Sequence, residues 1–292
     1  MSDYTMNSYT IAKAVDLSAL SKKARAQFEL DLAAWEYLLT PKYDGCAVHI
    51  ELNDGRVEQC ISGSGKPVRS LDHALKELLQ VFPSGRVVLD AEAWVPDMAF
   101  QEISGLFRRH TSDSRLQLKV FNGHLIAGRS QRYETRLADI SQALYLPMLY
   151  THMAARSIAF DLEHATVMAR AWQQAGGFDG CVLHHRDAPY FQGRAKYESV
   201  KIKPLLSFDL EVTGVNAAVG EKTGRATCAL VCRWQDGGVQ EVATGLTHAE
   251  QADPGQFIGK IIEVRAMGLT SDGKLREPRF CGVREDKLQA EY

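Results

Sequence analysis

Residues 41–62 read PKYDGCAVHIELNDGRVEQCIS. Two runs with alternating apolar positions, 47–52 and 56–62, flank Asn53-Asp54-Gly55, a tripeptide suited to the positive φ angles of a tight turn. The stretch therefore predicts an antiparallel hairpin. Upstream, Leu17, Leu20, Ala24, Phe28, Leu32, Trp35 and Leu39 recur three or four apart, which predicts an amphipathic helix over 17–39. Thr40-Pro41 should end it, because the residue before a proline avoids the helical region. Lys42 is thereby expected between a helix end and a strand. Downstream, 71–80 has helical spacing, and RVVLDAEAWV (86–95) and LQLKVFNGHL (116–125) read as strands. Helices are expected over 133–144 and 161–175, the second stopped by Gly176-Gly177. FDGCVLHH (178–185) returns to strand. The sum is an α+β domain with mostly antiparallel strands, ending near Pro204.

After Pro204 the texture changes. Five β-runs (208–215, 226–234, 238–245, 260–268 and a short one near Phe280) surround one helical piece at 247–252. Five strands with an inserted helix fit an OB-fold β-barrel, and the pattern alone also admits another small barrel of the SH3 kind. The expected domains are 1–204 and 205–292.

Composition narrows the class. Of 292 residues, 45% are hydrophobic and 24% charged, ordinary values for a soluble globular chain. No run approaches the ~20 apolar residues of a membrane span. The first twenty residues carry Asp3, Lys13 and Asp16 without an apolar core, so no cleaved leader is expected. Six cysteines form no CxxC pair, which argues against a zinc knuckle or disulfide framework and for a reduced, cytoplasmic protein. The formal net charge is −2, and residues 205–292 hold 10 basic against 13 acidic side chains. Between His184 and Lys203, however, Arg186, Arg194, Lys196, Lys201 and Lys203 meet only Asp187 and Glu198. Such a local basic track can hold phosphates on a near-neutral protein, because screening removes distant acids from account.

Lys42 in Lys42-Tyr43-Asp44-Gly45 is a candidate nucleophile. Its amine needs neighbouring cations or desolvation to become reactive, and Lys201 and Lys203 could supply the field. His184-His185 does not suggest a metal site, since adjacent strand residues point to opposite faces. Cys228 and Cys232, four apart on a strand, read as core packing. Gly63, Gly65 and Gly85 do not form a Walker A loop.

An ordered series extends the signal. Lys42-Tyr43-Asp44-Gly45 is followed, fifty residues after Lys42, by Glu92 in Leu89-Asp90-Ala91-Glu92; then come Phe121, Asp179-Gly180-Cys181-Val182-Leu183, and Lys201-Ile202-Lys203-Pro204. Arg276-Glu277-Pro278-Arg279-Phe280 and Arg284-Glu285-Asp286-Lys287 close the series. In this order the residues resemble motifs I, III, IIIa, IV, V and VI of the covalent nucleotidyltransferases, most closely the small two-domain ATP-dependent DNA ligases of the phage type. The resemblance spans essentially the whole chain. It implies an antiparallel-sheet nucleotidyltransferase (adenylation) domain followed by the OB-fold barrel.

The resemblance further implies that Lys42 is adenylated and that Phe121 stacks on adenine. Glu92 and Asp179 would serve ribose and a divalent metal, Mg2+ with Mn2+ as substitute. Lys201 and Lys203 would act on the α-phosphate, with Arg276 and Arg279, supported by Arg284 and Lys287, at the departing pyrophosphate. A barrel that swings on a hinge after Pro204 goes with that picture. Ser62, Lys66, Arg69, Arg194 and Lys196 are the candidate DNA contacts. The implied activity is sealing of 3′-OH/5′-phosphate nicks in duplex DNA by a cytoplasmic monomer. An RNA ligase, a capping-type nucleotidyltransferase, and a degraded nucleic-acid-binding homologue are the rivals. Departures from the family pattern are Ala47 and Gly63 where arginines are usual, Asp179 for glutamate, and His184 where lysine is common.

Overall fold

The computed structural model describes residues 11–125, 132–145, 147–219, 226–270 and 272–291. The expectation that no leader opens the chain rests in part on residues 1–10, outside those ranges. The chain divides into two units, Met1–Pro204 and Leu205–Tyr292.

In the first unit the strands are β1 (Val15–Asp16), β2 (Tyr37–Tyr43), β3 (Cys46–Asn53), β4 (Arg56–Ser62), β5 (Arg86–Trp94), β6 (Gln117–Leu125), β7 (Thr151–Met153), β8 (Ser157–Ile158), β9 (Phe178–His185) and β10 (Ser199–Ile202). The helices are α1 (Lys22–Ala33), α2 (Asp72–Val81), α3 (Phe100–Phe107), α4 (Tyr133–Ala143) and α5 (Leu162–Ala175). Two five-stranded sheets result, ordered β1-β10-β9-β2-β8 and β4-β3-β5-β6-β7. All neighbours are antiparallel except β1 with β10 and β6 with β7.

The hairpin of residues 46–62 forms as expected, with Asp54 and Gly55 at φ 46° and 72°. The long helix over 17–39 does not. Ser21 caps α1, accepting a hydrogen bond from the Ala24 N–H, and the chain turns at Trp35, whose φ is +61°. Residues 37–41 are buried one after another, so this is a strand covered on both faces, and its apolar run continued the helical spacing by coincidence. Pro41 lies inside β2 at an irregularity in the pairing with β9, a place where the missing N–H is tolerated. Lys42 is therefore a strand residue rather than a loop residue.

The first sheet packs one face against α1 and α5 through Phe28, Leu32, Tyr37, Leu39, Leu183 and Val200. The second has its own core of Val48, Ile50, Leu52, Leu78, Leu89 and Ile103 under α2 and α3. Two separate cores leave the space between the sheets open to a ligand.

The second unit holds β11 (Leu206–Val219), β12 (Ala226–Arg233), β13 (Val239–Val242), β14 (Ile261–Ala266), β15 (Arg279–Val283) and the short α6 (His248–Ala252), which starts in a capping box of Thr247 and Glu250. Its antiparallel sheet has the order β13-β12-β11-β14-β15. No ladder closes it into a full barrel among the described residues. Its edges meet at one parallel bridge, Thr244 to Arg279, where the Phe280 N–H donates to the Thr244 carbonyl at 2.8 Å. Cys228 and Cys232 are both buried in its core, as the spacing required.

Candidate active site

The cleft of the first unit lies between its two sheets. One wall carries Thr40, Pro41 and Lys42 of β2 with Val182 and His184 of β9; the other carries Ala47, Glu92, Phe121 and Asn122 of β3, β5 and β6. Lys42-Tyr43-Asp44-Gly45 is the corner where the chain leaves one sheet for the other. The corner is tight. A side chain at Gly45 would put its Cβ 2.4 Å from the Ala93 carbonyl oxygen and 2.9 Å from Glu92 Cγ. Only glycine lets the lysine turn sit against the strand that bears Glu92.

A second close approach builds the opposite side. Gly180 has φ +121°, and a Cβ there would lie 2.2 Å from the Ile202 carbonyl oxygen. With nothing in that space, the 201–204 segment drops onto Asp179. Lys203 Nζ then donates to Asp179 Oδ2 at 3.1 Å, and Lys42 Nζ donates to the same oxygen at 3.2 Å. Asp179 is 6% exposed, so two ammonium groups share one buried carboxylate oxygen. Lys201 stands opposite Val182, which in turn stands opposite Thr40, and Thr40 and Val182 of this row line the cleft. Burial lowers the Lys201 pKa, and the charges of Lys203, Lys42 and Arg194 lower it further against the pull of Asp16.

Across the cleft, Glu92 is pushed up to about 7, first by burial and then by the nearby Asp44 and Asp179 carboxylates, with Lys42 acting the other way. A buried carboxylate with two others nearby, raised toward neutrality, is stabilised in its charged form by an added cation. Among the described residues no three His, Cys, Asp or Glu side chains are grouped to hold a metal alone. Glu92 and Asp179 are hard oxygen donors of the kind magnesium accepts when phosphate and water complete its shell.

Phe121 lies on β6 beside this cleft. Its carbonyl accepts a 2.7 Å hydrogen bond from the Tyr133 hydroxyl, which ties the strand to the cleft floor. The Tyr133 ring stacks on His184 at 4.7 Å and 15°, and His184 bonds to the Ser199 hydroxyl at 2.9 Å. Burial, and then the Arg136 charge, lower the His184 pKa to about 3. The position where lysine is common in the family is thus neutral here and works as an aromatic floor. His185 points the other way, to the Tyr37 ring and Asp31.

Several cleft residues carried no sequence signal. Lys13 lines the cleft from the segment before β1, and Asn122, Tyr133 and Arg136 complete its floor. The guanidinium of Arg136 is spent on the Gly123 and Ala188 carbonyls and the Asn122 side chain. Asp90, inside the motif with Glu92, is wholly buried and bonded to His49, Asn122 and Tyr190.

The remaining expected residues are dispersed. Ser62 ends β4, and Gly63 sits beside Ala47, donating its N–H to the Ala47 carbonyl at 3.0 Å. The two positions lacking arginines are therefore neighbours, and together they leave a small-residue notch in the cleft wall. Lys66 and Arg69 are exposed on the following loop, and Arg194 and Lys196 are exposed before β10. Arg186, of the basic track, is bound to Glu134 at 2.9 Å. Arg276 and Arg279 belong to the second unit, at a hairpin stem and at the start of β15. Arg284 and Lys287 do not offer free charge. Arg284 holds Asp209 at 2.8 Å and Asp286 at 2.7 Å, and Lys287 holds Glu291 at 2.6 Å.

Comparison with known proteins bears on this arrangement. A family profile, the DNA ligase OB-like domain, matches residues 220–284. The structure reported as "DNA binding with a minimal scaffold: Structure-function analysis of Lig E DNA ligases" superposes with a TM-score of 0.73 at 17% identity, covering 94% of this chain and 99% of that one. The fold is that of the DNA ligases. The ATP-dependent DNA ligase of bacteriophage T7, solved with ATP, shares this ligase fold at a TM-score of 0.55 and 18% identity over 94% of this chain and 98% of that one. In sequence, the multifunctional non-homologous end joining DNA repair protein LigD of Mycobacterium tuberculosis is 24% identical over 89% of this chain and 38% of its own length. The chain thus spans about two fifths of that ligase relative. No helix among the described residues is long and apolar enough to cross a membrane.

Proposed function

We propose that the protein is an ATP-dependent DNA ligase that seals 3′-OH/5′-phosphate nicks in duplex DNA, acting as a cytoplasmic monomer. Residues 1–204 would be its adenylation domain and 205–292 its OB-fold domain. The observation that carries this reading is the pair of lysines, Lys42 and Lys203, on one oxygen of Asp179 at a cleft that also presents Glu92 and Phe121. In the first step Lys42 Nζ, as the neutral amine, attacks the α-phosphorus of ATP. A P–N bond forms, the bond to the bridging oxygen breaks, and pyrophosphate leaves with the electron pair. Asp179 fixes the direction of Nζ, and Lys201 and Lys203 offset the negative charge that builds on the α-phosphate oxygens. The ring of Phe121 offers a face to the base.

In the second step an oxygen of the DNA 5′-phosphate displaces Lys42 from the adenylate phosphorus. In the third the 3′-hydroxyl attacks that 5′-phosphate and releases AMP. Magnesium, held by Glu92 and Asp179 with phosphate oxygens, would supply electrostatic neutralisation of the triphosphate. Arg276 and Arg279 are the second unit's candidates for the pyrophosphate. Ser62, Lys66, Arg69, Arg194 and Lys196 are candidates for the DNA backbone, which a nick-sealing enzyme grips without reading bases.

The test is incubation with α-labelled ATP and magnesium, followed by denaturing electrophoresis and then chase with nicked duplex DNA. Label that survives denaturation, leaves on addition of pyrophosphate and disappears as the nick closes is the expected result. Label that transfers to nicked RNA and not to nicked DNA would replace this reading with the RNA ligase one, and no label at all would leave a binding protein.

A further inference from the structure

Five residues along β9 from Asp179, His184 presents to the cleft a side-chain atom that the protein leaves unpaired. Its Nδ1 meets the Ser199 hydroxyl at 2.9 Å, and its ring is stacked on Tyr133. Nε2 has no partner among the described residues, and it is not sealed inside the protein. Both His184 and Ser199 line the cleft, so Nε2 opens on it although the residue is only 7% exposed. The Ser199 hydroxyl has no side-chain partner but His184 among the described residues.

The bond to Ser199 has no fixed direction. With the proton on Nδ1, the ring donates to Ser199 and Nε2 carries a lone pair. With the proton on Nε2, the hydroxyl donates to Nδ1 and Nε2 becomes a donor; a serine hydroxyl serves either tautomer by rotating. Burial and the Arg136 charge hold the His184 pKa at about 3, so the ring is neutral at ordinary pH and both roles stay open. A lysine in this position would only donate. The place of the pair matters too. His184 stands at the rung of Leu38, four residues along β2 from Lys42, or about 13 Å at about 3.3 Å per residue. Tyr133 links it to Phe121, with its ring on His184 and its hydroxyl on the Phe121 carbonyl. A nucleotide with its α-phosphorus at Lys42 and its base against Phe121 therefore turns the far edge of that base toward Nε2.

We propose that His184, with Ser199 as its reversible partner, reads the far edge of the purine in either polarity, so that the cleft takes 6-oxo as well as 6-amino purine nucleoside triphosphates. The proposal deepens the ligase reading above and rests on it. Adenine presents at that edge a 6-amino donor and an N1 acceptor; hypoxanthine presents a 6-oxo acceptor and an N1–H donor. Each atom that His184 can meet there is thus reversed between the two bases. A site of fixed polarity rejects the wrong base because it leaves a buried polar group unpaired. A ring that exchanges tautomers pairs with both.

The experiment measures self-labelling of the full chain from α-labelled ATP and α-labelled ITP, with calorimetric titration of both nucleotides in parallel. The wild-type protein should load from ITP with a kcat/KM within about tenfold of that for ATP. His184→Phe keeps a ring and removes the polar atom, and should slow loading from both by about tenfold. His184→Lys should open a gap of more than about tenfold between the two nucleotides. His184→Gln, whose amide can turn either way, should keep the wild-type ratio. A wild-type preference for ATP beyond about tenfold overturns the proposal without requiring any variant to fold. Unchanged loading from both nucleotides in His184→Phe, or an unchanged ratio in His184→Lys, overturns it as well. A protein that labels from ATP and not from ITP keeps the ligase reading and loses this one. If neither nucleotide labels the protein, the ligase reading falls and calorimetry decides: affinities within about tenfold keep the dual pocket, and a larger gap or no binding removes it.

Discussion

Two charge clusters of this molecule look alike in sequence and differ in construction. In the first unit, Lys42 and Lys203 converge on one oxygen of the buried Asp179. In the second, Arg284 spans Asp209 and Asp286 while Lys287 reaches Asp209 and Glu291, so two cations meet three carboxylates. The second cluster is saturated and fastens the segment after β15 to β11. The first holds two ammonium groups with a single acceptor oxygen and leaves Lys201, its pKa already depressed, beside them. Two ammonium groups that converge on one carboxylate oxygen concentrate positive charge at the cleft; cations chelated by three carboxylates hold a fold together. The resemblance read from motifs gives both sets a part in the chemistry, and their geometry differs: one shares an acceptor at the cleft, the other is chelated within the second unit.

The sharpest way to break that contrast is at Lys42, the proposed nucleophile. Lys42→Ala should reduce self-adenylation below detection, while a nick supplied already adenylated should still be sealed to some extent, because the covalent role of the lysine is then over. Persistent labelling from ATP would remove Lys42 from the scheme. Next comes the shared acceptor. Asp179→Asn should slow single-turnover sealing at least tenfold, about 1.4 kcal/mol of barrier, across a magnesium titration. Wild-type rates at every magnesium concentration would show that this carboxylate only packs.

A third test exploits the neutral floor of the cleft. The folded protein holds His184 at about 3, mainly through burial, while the unfolded chain takes up that proton at about 6.5. The folded state therefore binds fewer protons below pH 6.5, and its stability falls as pH falls. Between pH 6.5 and 5 the loss from this one group is about 2 kcal/mol. Glu92, raised to about 7, acts in the opposite sense over the same range, so the comparison must be made against a variant. His184→Phe should lose less stability than wild type on acidification in urea titrations, and equal losses would mean the ring is already charged or exposed. The smallest effect belongs to the saturated cluster: Arg284→Ala should lower the melting temperature of the second unit by a few degrees and leave a measurable rate of label transfer. Abolished transfer with an unchanged melting temperature would return Arg284 to the catalytic set.

How much of this was legible in sequence depended on which force fixed each element. The hairpin around Asp54-Gly55, the helix ended by Gly176-Gly177 and the five strands after Pro204 are set by local turn chemistry and alternation, and all were readable. The strand Tyr37–Tyr43 was not, because a strand buried on both faces has no alternation to show. The short edge strands β1, β7 and β8 owe their form to pairing with distant partners and leave no local pattern. In the site, the motif series grouped Lys42, Glu92, Phe121, Asp179, Lys201 and Lys203 in the first unit, but it expected Lys42 between a helix end and a strand rather than inside one. Sequence could not show that Ala47 and Gly63 are neighbours, or that His184 is neutral, since both depend on which strands lie side by side. The engagement of Arg284 with Asp209 spans 75 residues and was equally hidden.

The two glycine contacts have a consequence for how such a chain can change. Any side chain at Gly45 must displace the strand that carries Glu92, and any at Gly180 must displace the backbone leading to Lys203. Each glycine is a bearing surface for a charged residue that belongs to a different motif. A substitution there would misalign a distant charged residue without touching it, and no second substitution of a side chain could restore the clearance that was lost. Drift in the surrounding sequence is therefore free to go far, while these two points of backbone contact act as fixed stops for the machinery around them.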